Sequence, residues 1–334
     1  MKLCVIPGDG IGQEVIPAAV TVLQAVCPQL ELVPARAGWD CFQACGTSVP
    51  QETLDAIRTC GAALFGAVSS PSRKVAGYRS AVLVMRQALD LYLNVRPIFS
   101  LPGVSPRAEV DFVIFRENSE GLYAGREHLE GPAGETAIAE RVITRGASQR
   151  LARRAAELMR AEQRQRLTIV HKANILPLTD GLFRDSVRQV LADEAAIQMD
   201  ELLVDAAALR LIATPTDFQA LITTNLFGDI LSDEASYWMG GMGLAPSLNL
   251  GDGIALAEPV HGSAPDIAGQ GIANPIAAIL SAALLLRYHW HEPAAAERIQ
   301  QAVCAALAGP LAGACEPSPK STGEITRAVL ENLD

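Results

Sequence analysis

"LCVIPGDGIGQEVI", residues 3–16, runs an apolar strand into three glycines and then into a helical pattern. A Rossmann dinucleotide turn needs glycines at its first, third and sixth positions, so that the backbone turns tightly, approaches a pyrophosphate and packs helix on strand. Gly8 and Gly10 meet the first two requirements, but the sixth position is Gln13. Glu31 stands roughly where an acidic ribose ligand would, inside "LELVPA", which equally reads as an ordinary second strand. The stretch is a strand-turn-helix corner with two jobs open to it: a cofactor turn, or a structural turn that braces something else.

Composition narrows the class. With 334 residues, 5% aromatic and 19% charged, the chain has the make-up of an α/β enzyme of about two domains. A net charge of −10 without a long basic run argues against nucleic acid and anionic membrane as partners. "IAAILSAALLL", 276–286, is too short to span a bilayer and reads as a buried helix. The first residues carry one lysine and an apolar run broken by Pro7-Gly8-Asp9, so no signal peptide is expected and a cytoplasmic location follows. Of seven cysteines, five precede residue 61; Cys41 and Cys45 have neither the spacing nor the histidines of a zinc or redox motif, and free thiols are expected.

Short β-branched runs alternate with helical patterns along the chain. Strands are expected at 2–6, 62–67, 111–115, 167–171, 200–204, 220–224 and 253–257, and helices at 12–26, 51–58, 147–162, 180–192, 227–238, 275–289, 294–308 and 323–333. That alternation predicts a sheet with helices on both faces. The proline-rich 96–110 and glycine-rich 238–253 read as crossings between domains. The expected division is 1–97 plus 240–334 as one discontinuous α/β domain, with 98–239 inserted.

Four groups of residues carry chemistry. In "NLFGDILSDEA", 225–235, Asp229 and Asp233 stand four apart on one helix face, where like charges repel unless a cation offsets them. Asp205 in "ELLVDAAAL" is expected at the carboxyl end of a strand; three carboxylates with substrate oxygens suit Mg²⁺ or Mn²⁺. Arg86, Arg96 and Arg116 supply guanidinium forks for the carboxylates of a small polyacid, with Tyr123 seven residues beyond the last. Lys172, at the end of an apolar strand, is placed to carry protons, whereas His171 beside it reads as packed. The small-residue loop "AEPVHGSAPDIAGQGIANPIAAIL", 257–280, offers backbone amides to phosphates.

Taken in order, "IPGDGIG", "RENSEGLY", "HKAN", "TTNLFGDILSDEAS" and "EPVHGSAPDIAGQGIANPIAAILSA" resemble the metal-dependent β-decarboxylating dehydrogenases of isocitrate, 3-isopropylmalate, tartrate and homoisocitrate. The resemblance covers nearly the whole chain, and "GAVSSPSRKVAGY" with "RENSEGLY" is most similar to the homoisocitrate branch. It implies a two-domain α/β fold with a mixed twisted sheet flanked by helices, not a Rossmann fold. The cofactor would lie against the 258–275 loop, touching His261, Gly262, Ser263, Ala264, Asp266, Ile267 and Asn274. Asp266 would accept from a free ribose and repel a 2′-phosphate, which favours NAD over NADP.

By the same resemblance, Asp205, Asp229 and Asp233 would hold Mg²⁺ or Mn²⁺, with K⁺ a further ion to supply. Lys172 would take the hydroxyl proton and Tyr123 would protonate the enol left by CO₂. Arg86, Arg96 and Arg116 would grip the malate carboxylates; Ser70 and Leu83 would face the variable substituent, and Asn174 would join the substrate contacts. Family members are homodimers or larger homo-oligomers whose shared sites borrow the lysine and one aspartate from a second subunit. Two departures stand out: Ala206 follows the first metal aspartate where asparagine is common, and Arg210 replaces a frequent glutamine. Some homologues are noncatalytic regulatory subunits, but this chain keeps Tyr123, Lys172 and all three aspartates. The substituent stays open among carboxyethyl, isopropyl and carboxymethyl.

Overall fold

The computed structural model describes residues 1–73, 75–312 and 320–333. Lys74 of "SSPSRKVAGY" and the seventh cysteine, Cys315, lie outside the described residues. The chain begins β1 (Lys2–Gly8), α1 (Gly12–Val26), β2 (Glu31–Pro34), α2 (Trp39–Cys45), α3 (Gln51–Cys60), β3 (Ala62–Ala67) and α4 (Ala81–Ala88). It continues through β4 (Leu93–Phe99), β5 (Asp111–Glu117), the antiparallel pair β6 (Glu127–Glu130) and β7 (Thr136–Ala139), and α5 (Arg145–Ala161). Next come β8 (Arg166–His171), α6 (Thr179–Leu191), β9 (Gln198–Leu203), α7 (Val204–Ala213), β10 (Ala220–Thr223) and α8 (Asn225–Ala235). The last elements are β11 (Pro246–Leu250), β12 (Ala255–Pro259), α9 (Ile276–Tyr288), α10 (Pro293–Ala308) and α11 (Thr322–Leu330).

Two compact units divide this path: residues 1–91, 97–109 and 236–334 form one, and residues 92–96 and 110–235 the other. In the first unit the strand order is β2-β1-β3-β12-β11, parallel throughout except for the antiparallel β11–β12 pair. The sheet is therefore mixed, as expected. β3 is buried along its whole length, which explains why "AALFGA" is an unbroken apolar run rather than an alternating one. α9 is buried on nearly every face because it packs against α1, α10, β11 and β12.

The second unit orders its strands β5-β10-β8-β9, all parallel. Phe112, Phe115, Leu151, Ile169 and Phe183 form its core. Thr144 caps α5, its hydroxyl accepting from Ala147 N at 3.2 Å.

Several elements differ from the sequence reading. β4 was not expected, because Pro97 interrupts its pattern; the strand runs through that proline. The glycine-rich 238–253 is not a plain crossing, since it contains all of β11. Asp205 follows the carboxyl end of β9, as expected, but sits two residues beyond it in the first turn of α7, a helix not expected there.

Candidate active site

The glycine corner braces the 258–275 loop of the first unit. Gly10, at φ +55°, lies so close to that loop that a Cβ there would come 2.1 Å from the Ser263 carbonyl oxygen. Ile11 N donates to that same oxygen at 2.9 Å, and the hydroxyls of Ser69 and Ser263 are 2.8 Å apart. The buried Asp9 carboxylate accepts from Trp39 N (2.7 Å), Asp40 N (3.1 Å) and Ser69 N (2.8 Å), joining the corner to the start of α2. Glu14, in the first turn of α1, accepts from Gly269 N at 2.6 Å, and Thr322 Oγ1 donates to Ala273 O at 2.6 Å. The corner is thus a support under the loop, with its close contact made to protein.

Within the loop, Ala264 adopts the left-handed conformation, φ +37°, unusual for a residue with a side chain. Buried His261 Nε2 and Asn274 Nδ2 have no hydrogen-bond partner among the described residues. Burial lowers the His261 imidazole below its ordinary pKa, which keeps it neutral. Gly262 and Asp266 are exposed, Ile267 is half-buried, and the Asp266 main-chain oxygen accepts from Gln270 at 2.8 Å. Open amides, orphaned polar atoms and an outward carboxylate form a cradle that fits a polar ligand such as a dinucleotide.

Also in the first unit, Arg86 is buried and its Nη2 donates to Glu258 Oε1 at 2.9 Å, while its Nε is buried without a partner among the described residues. Glu258 accepts in addition from Asn249 Nδ2 at 2.8 Å. Sequence reasoning quoted Glu258 inside a motif but gave it no part; nothing local in "LAEPV" signals a buried ion pair. Leu83 is half-buried three residues before Arg86 on α4, and Ser70 is exposed.

The second unit gathers Arg96, Arg116, Tyr123, Asp229 and Asp233. Arg96 Nη1 donates to Asp233 Oδ1 at 2.8 Å and to Ser232 Oγ at 2.7 Å, and its Nε donates to Asn94 at 2.8 Å. Arg116 is almost fully buried, pairs with Asp229 and donates to Asn225 Oδ1 through Nη2 at 2.8 Å. Its stem crosses α8 at Gly228, where a Cβ would meet Arg116 Cγ at 2.6 Å. Tyr123 donates to Asp229 Oδ2 at 2.5 Å, and the Arg116 guanidinium lies 5.3 Å from the Tyr123 ring centroid. Burial raises the Asp233 carboxyl above its ordinary range, with Arg96 opposing and Asp229 reinforcing that shift. Asn225, Asn94 and Ser232 were not singled out from sequence; short polar residues carry no periodic signal.

Lys172 and Asp205 form a separate pair in the same unit, Nζ donating to Oδ1. That hydrogen bond holds the Asp205 carboxyl below its usual range. Asn174 is exposed just beyond. His171 is packed, as expected: its Nδ1 accepts from Ala173 N at 3.1 Å and its Nε2 faces Glu201 at 3.3 Å. Among the described residues no three His, Cys, Asp or Glu side chains converge to hold a metal ion, so one chain does not bring Asp205 to Asp229 and Asp233. The α8 pair, both hard oxygen donors beside two guanidiniums, fits part of a divalent-cation and polyacid site.

The family model for isocitrate/isopropylmalate dehydrogenase matches residues 2–314. An isocitrate/homoisocitrate dehydrogenase of Thermus thermophilus is 52% identical over 302 residues, covering 90% of this chain and 89% of its own. A 3-isopropylmalate dehydrogenase of Methanothermobacter thermautotrophicus is 44% identical over 335 residues, covering 100% of this chain and 99% of its own. The crystal structure of an isocitrate dehydrogenase from Methylococcus capsulatus superposes with a TM-score of 0.94 at 41% identity, covering 99% of both chains. The chain therefore belongs to the isocitrate/isopropylmalate dehydrogenase family of metal-dependent, NAD(P)-using enzymes.

Proposed function

We propose that the protein catalyses the NAD-dependent oxidative decarboxylation of homoisocitrate to 2-oxoadipate, a step of lysine biosynthesis by the α-aminoadipate route. The observation that carries the reading is the α8 group: two carboxylates one turn apart, gripped by two buried arginines, with a tyrosine hydroxyl on one of them. Arg86, Arg96 and Arg116 bind and orient the substrate carboxylates, the buried Arg86 Nε gaining the partner it lacks. Lys172 takes the proton of the 2-hydroxyl, and Tyr123 delivers one to the carbon that loses CO₂. Asp205, Asp229 and Asp233 would hold Mg²⁺ or Mn²⁺, which would supply Lewis-acid stabilisation of charge on the substrate oxygens, and the 258–275 loop would hold NAD, which would supply the hydride-accepting nicotinamide. The failure of Asp205, Asp229 and Asp233 to converge on a metal site among the described residues of one chain supports reading complete sites as shared between two copies.

Leu83 supports a second reading. An apolar residue one turn before Arg86 suits an isopropyl substituent, and the 3-isopropylmalate relative aligns over the full chain. Relative kcat/KM with NAD, Mg²⁺ and K⁺ on homoisocitrate, 3-isopropylmalate, isocitrate, malate and tartrate decides between them. Homoisocitrate is expected to lead. A lead for 3-isopropylmalate would replace the lysine-route assignment with the leucine-route one.

A further inference from the structure

Arg141 Nη2 lies 2.7 Å from Asp180 Oδ1 in the second unit, an ion pair without hydrogen-bond alignment, with the Asp180 side chain wholly enclosed and that of Arg141 15% exposed. Removing two charges from water costs more than their attraction returns unless something else is gained, so a buried pair is a poor source of stability. What this pair gains is placement. Asp180, in the first turn of α6, accepts the main-chain N–H of Lys172 through its other oxygen at 2.6 Å. Arg141 donates to Thr224 Oγ1 at 2.8 Å and lies over the Phe227 ring, 4.6 Å from its centroid. Thr224 precedes α8 and Phe227 lies in its first turn. The Lys172 carbonyl in turn accepts from Ile175 N at 3.0 Å and Leu176 N at 2.9 Å, so the lysine's main chain is held on both sides.

We propose that Arg141 and Asp180 are positioning residues for the reaction, fixing the main chain at Lys172 to the start of α8 of the same chain, so that the lysine is held in one place on the surface it presents to the shared site. The proposal rests on the reading of Lys172 as the proton carrier. Displacement of an ammonium group by a fraction of an ångström impairs proton transfer without weakening binding, which sets the signature to look for.

The test compares Asp180→Asn, Arg141→Lys, Arg141→Gln, Lys172→Met and the Asp180→Asn/Lys172→Met double variant. Each is assayed on whichever of homoisocitrate, 3-isopropylmalate or isocitrate the parent turns over fastest. Asp180→Asn and Arg141→Gln are expected to lower kcat by about tenfold or more with both KM values within about threefold, and Arg141→Lys to recover part of the loss. In the Lys172→Met background, Asp180→Asn should cost little more, because it acts through a group already removed. Parental kcat in Asp180→Asn, a change confined to KM, or losses that multiply in the double variant would overturn the proposal. Parental kcat in Lys172→Met would instead sink the proton-carrier reading itself. If the variants do not fold, hydrogen exchange of the wild-type protein decides. Protection of the Lys172 amide comparable to the interior of β8 is expected, and exchange at exposed-loop rates would overturn the anchor.

Discussion

Charge on single side chains sets much of the proposed chemistry, and Asp266 is where that is easiest to isolate. It is exposed on the 258–275 loop, and Ile267 beside it is half-buried. A carboxylate there accepts hydrogen bonds from ribose hydroxyls but repels a 2′-phosphate, whereas a lysine would pair with it. Asp266→Lys with Ile267→Tyr is therefore expected to shift the ratio of kcat/KM for NAD over NADP towards NADP by about tenfold or more, the scale of one charge-assisted hydrogen bond. An unchanged ratio would move cofactor discrimination to other residues. Neither substitution touches the supports at Gly10, Glu14 or Ser69, so the loop should keep its shape.

Elements show how far the sequence could be read and where it stopped. α1, β3, β8, α9 and α10 were legible because their apolar positions recur at helix or strand period, or run unbroken where both faces are covered. β4 was not, since a proline within a strand reads as a breaker until its neighbours are known. Arg96, Arg116, Asp229 and Asp233 could be nominated from residue type and spacing. Glu258, Asn225, Arg141 and Asp180 could not, because each matters through a contact distant in sequence. The end of β8 makes a further prediction. His171 Nδ1 accepts an N–H, so a proton there would face another donor, and burial followed by Arg184 lowers its pKa, against Asp180 and Asp185. The unfolded chain then takes up a proton near pH 6.5 while the folded protein does not. Stability is fully present above that pH and falls as pH drops towards the lower folded-state value, by at most about 1.4 kcal/mol per unit. His171→Gln should flatten urea-unfolding free energies between about pH 6.5 and 5 relative to the parent. An identical slope would show that another group controls the acid limb.

At the scale of the whole molecule, one chain presents a conspicuous surplus of apolar surface. Ile175, Leu178, Leu209, Ile212 and Ile230 are large, apolar and 58–85% exposed, and all belong to the second unit. They lie beside the proposed active residues: Ile175 and Leu178 follow Lys172, Leu209 and Ile212 share α7 with Asp205, and Ile230 adjoins Asp229. Exposed large apolar side chains in this number mark association surfaces, and a two-fold arrangement would cover the same residues on both copies. If Lys172 and Asp205 of one copy complete the site at Asp229 and Asp233 of the other, two different inactive variants can repair each other. A dimer of one Lys172→Met chain and one Asp229→Asn chain would contain one site with both defects and one with neither. Equal amounts, dissociated and reassociated at random, should then regain about a quarter of parental activity, because half the dimers are mixed and each holds one intact site of two. The same mixing with Leu178→Glu in both chains should regain nothing and sediment as monomer, since a charge is then forced into the apolar contact. A mixture of the first two variants that reforms dimers yet stays inactive would place lysine and aspartate in the same chain's site. It would also leave the exposed apolar surface without a catalytic reason.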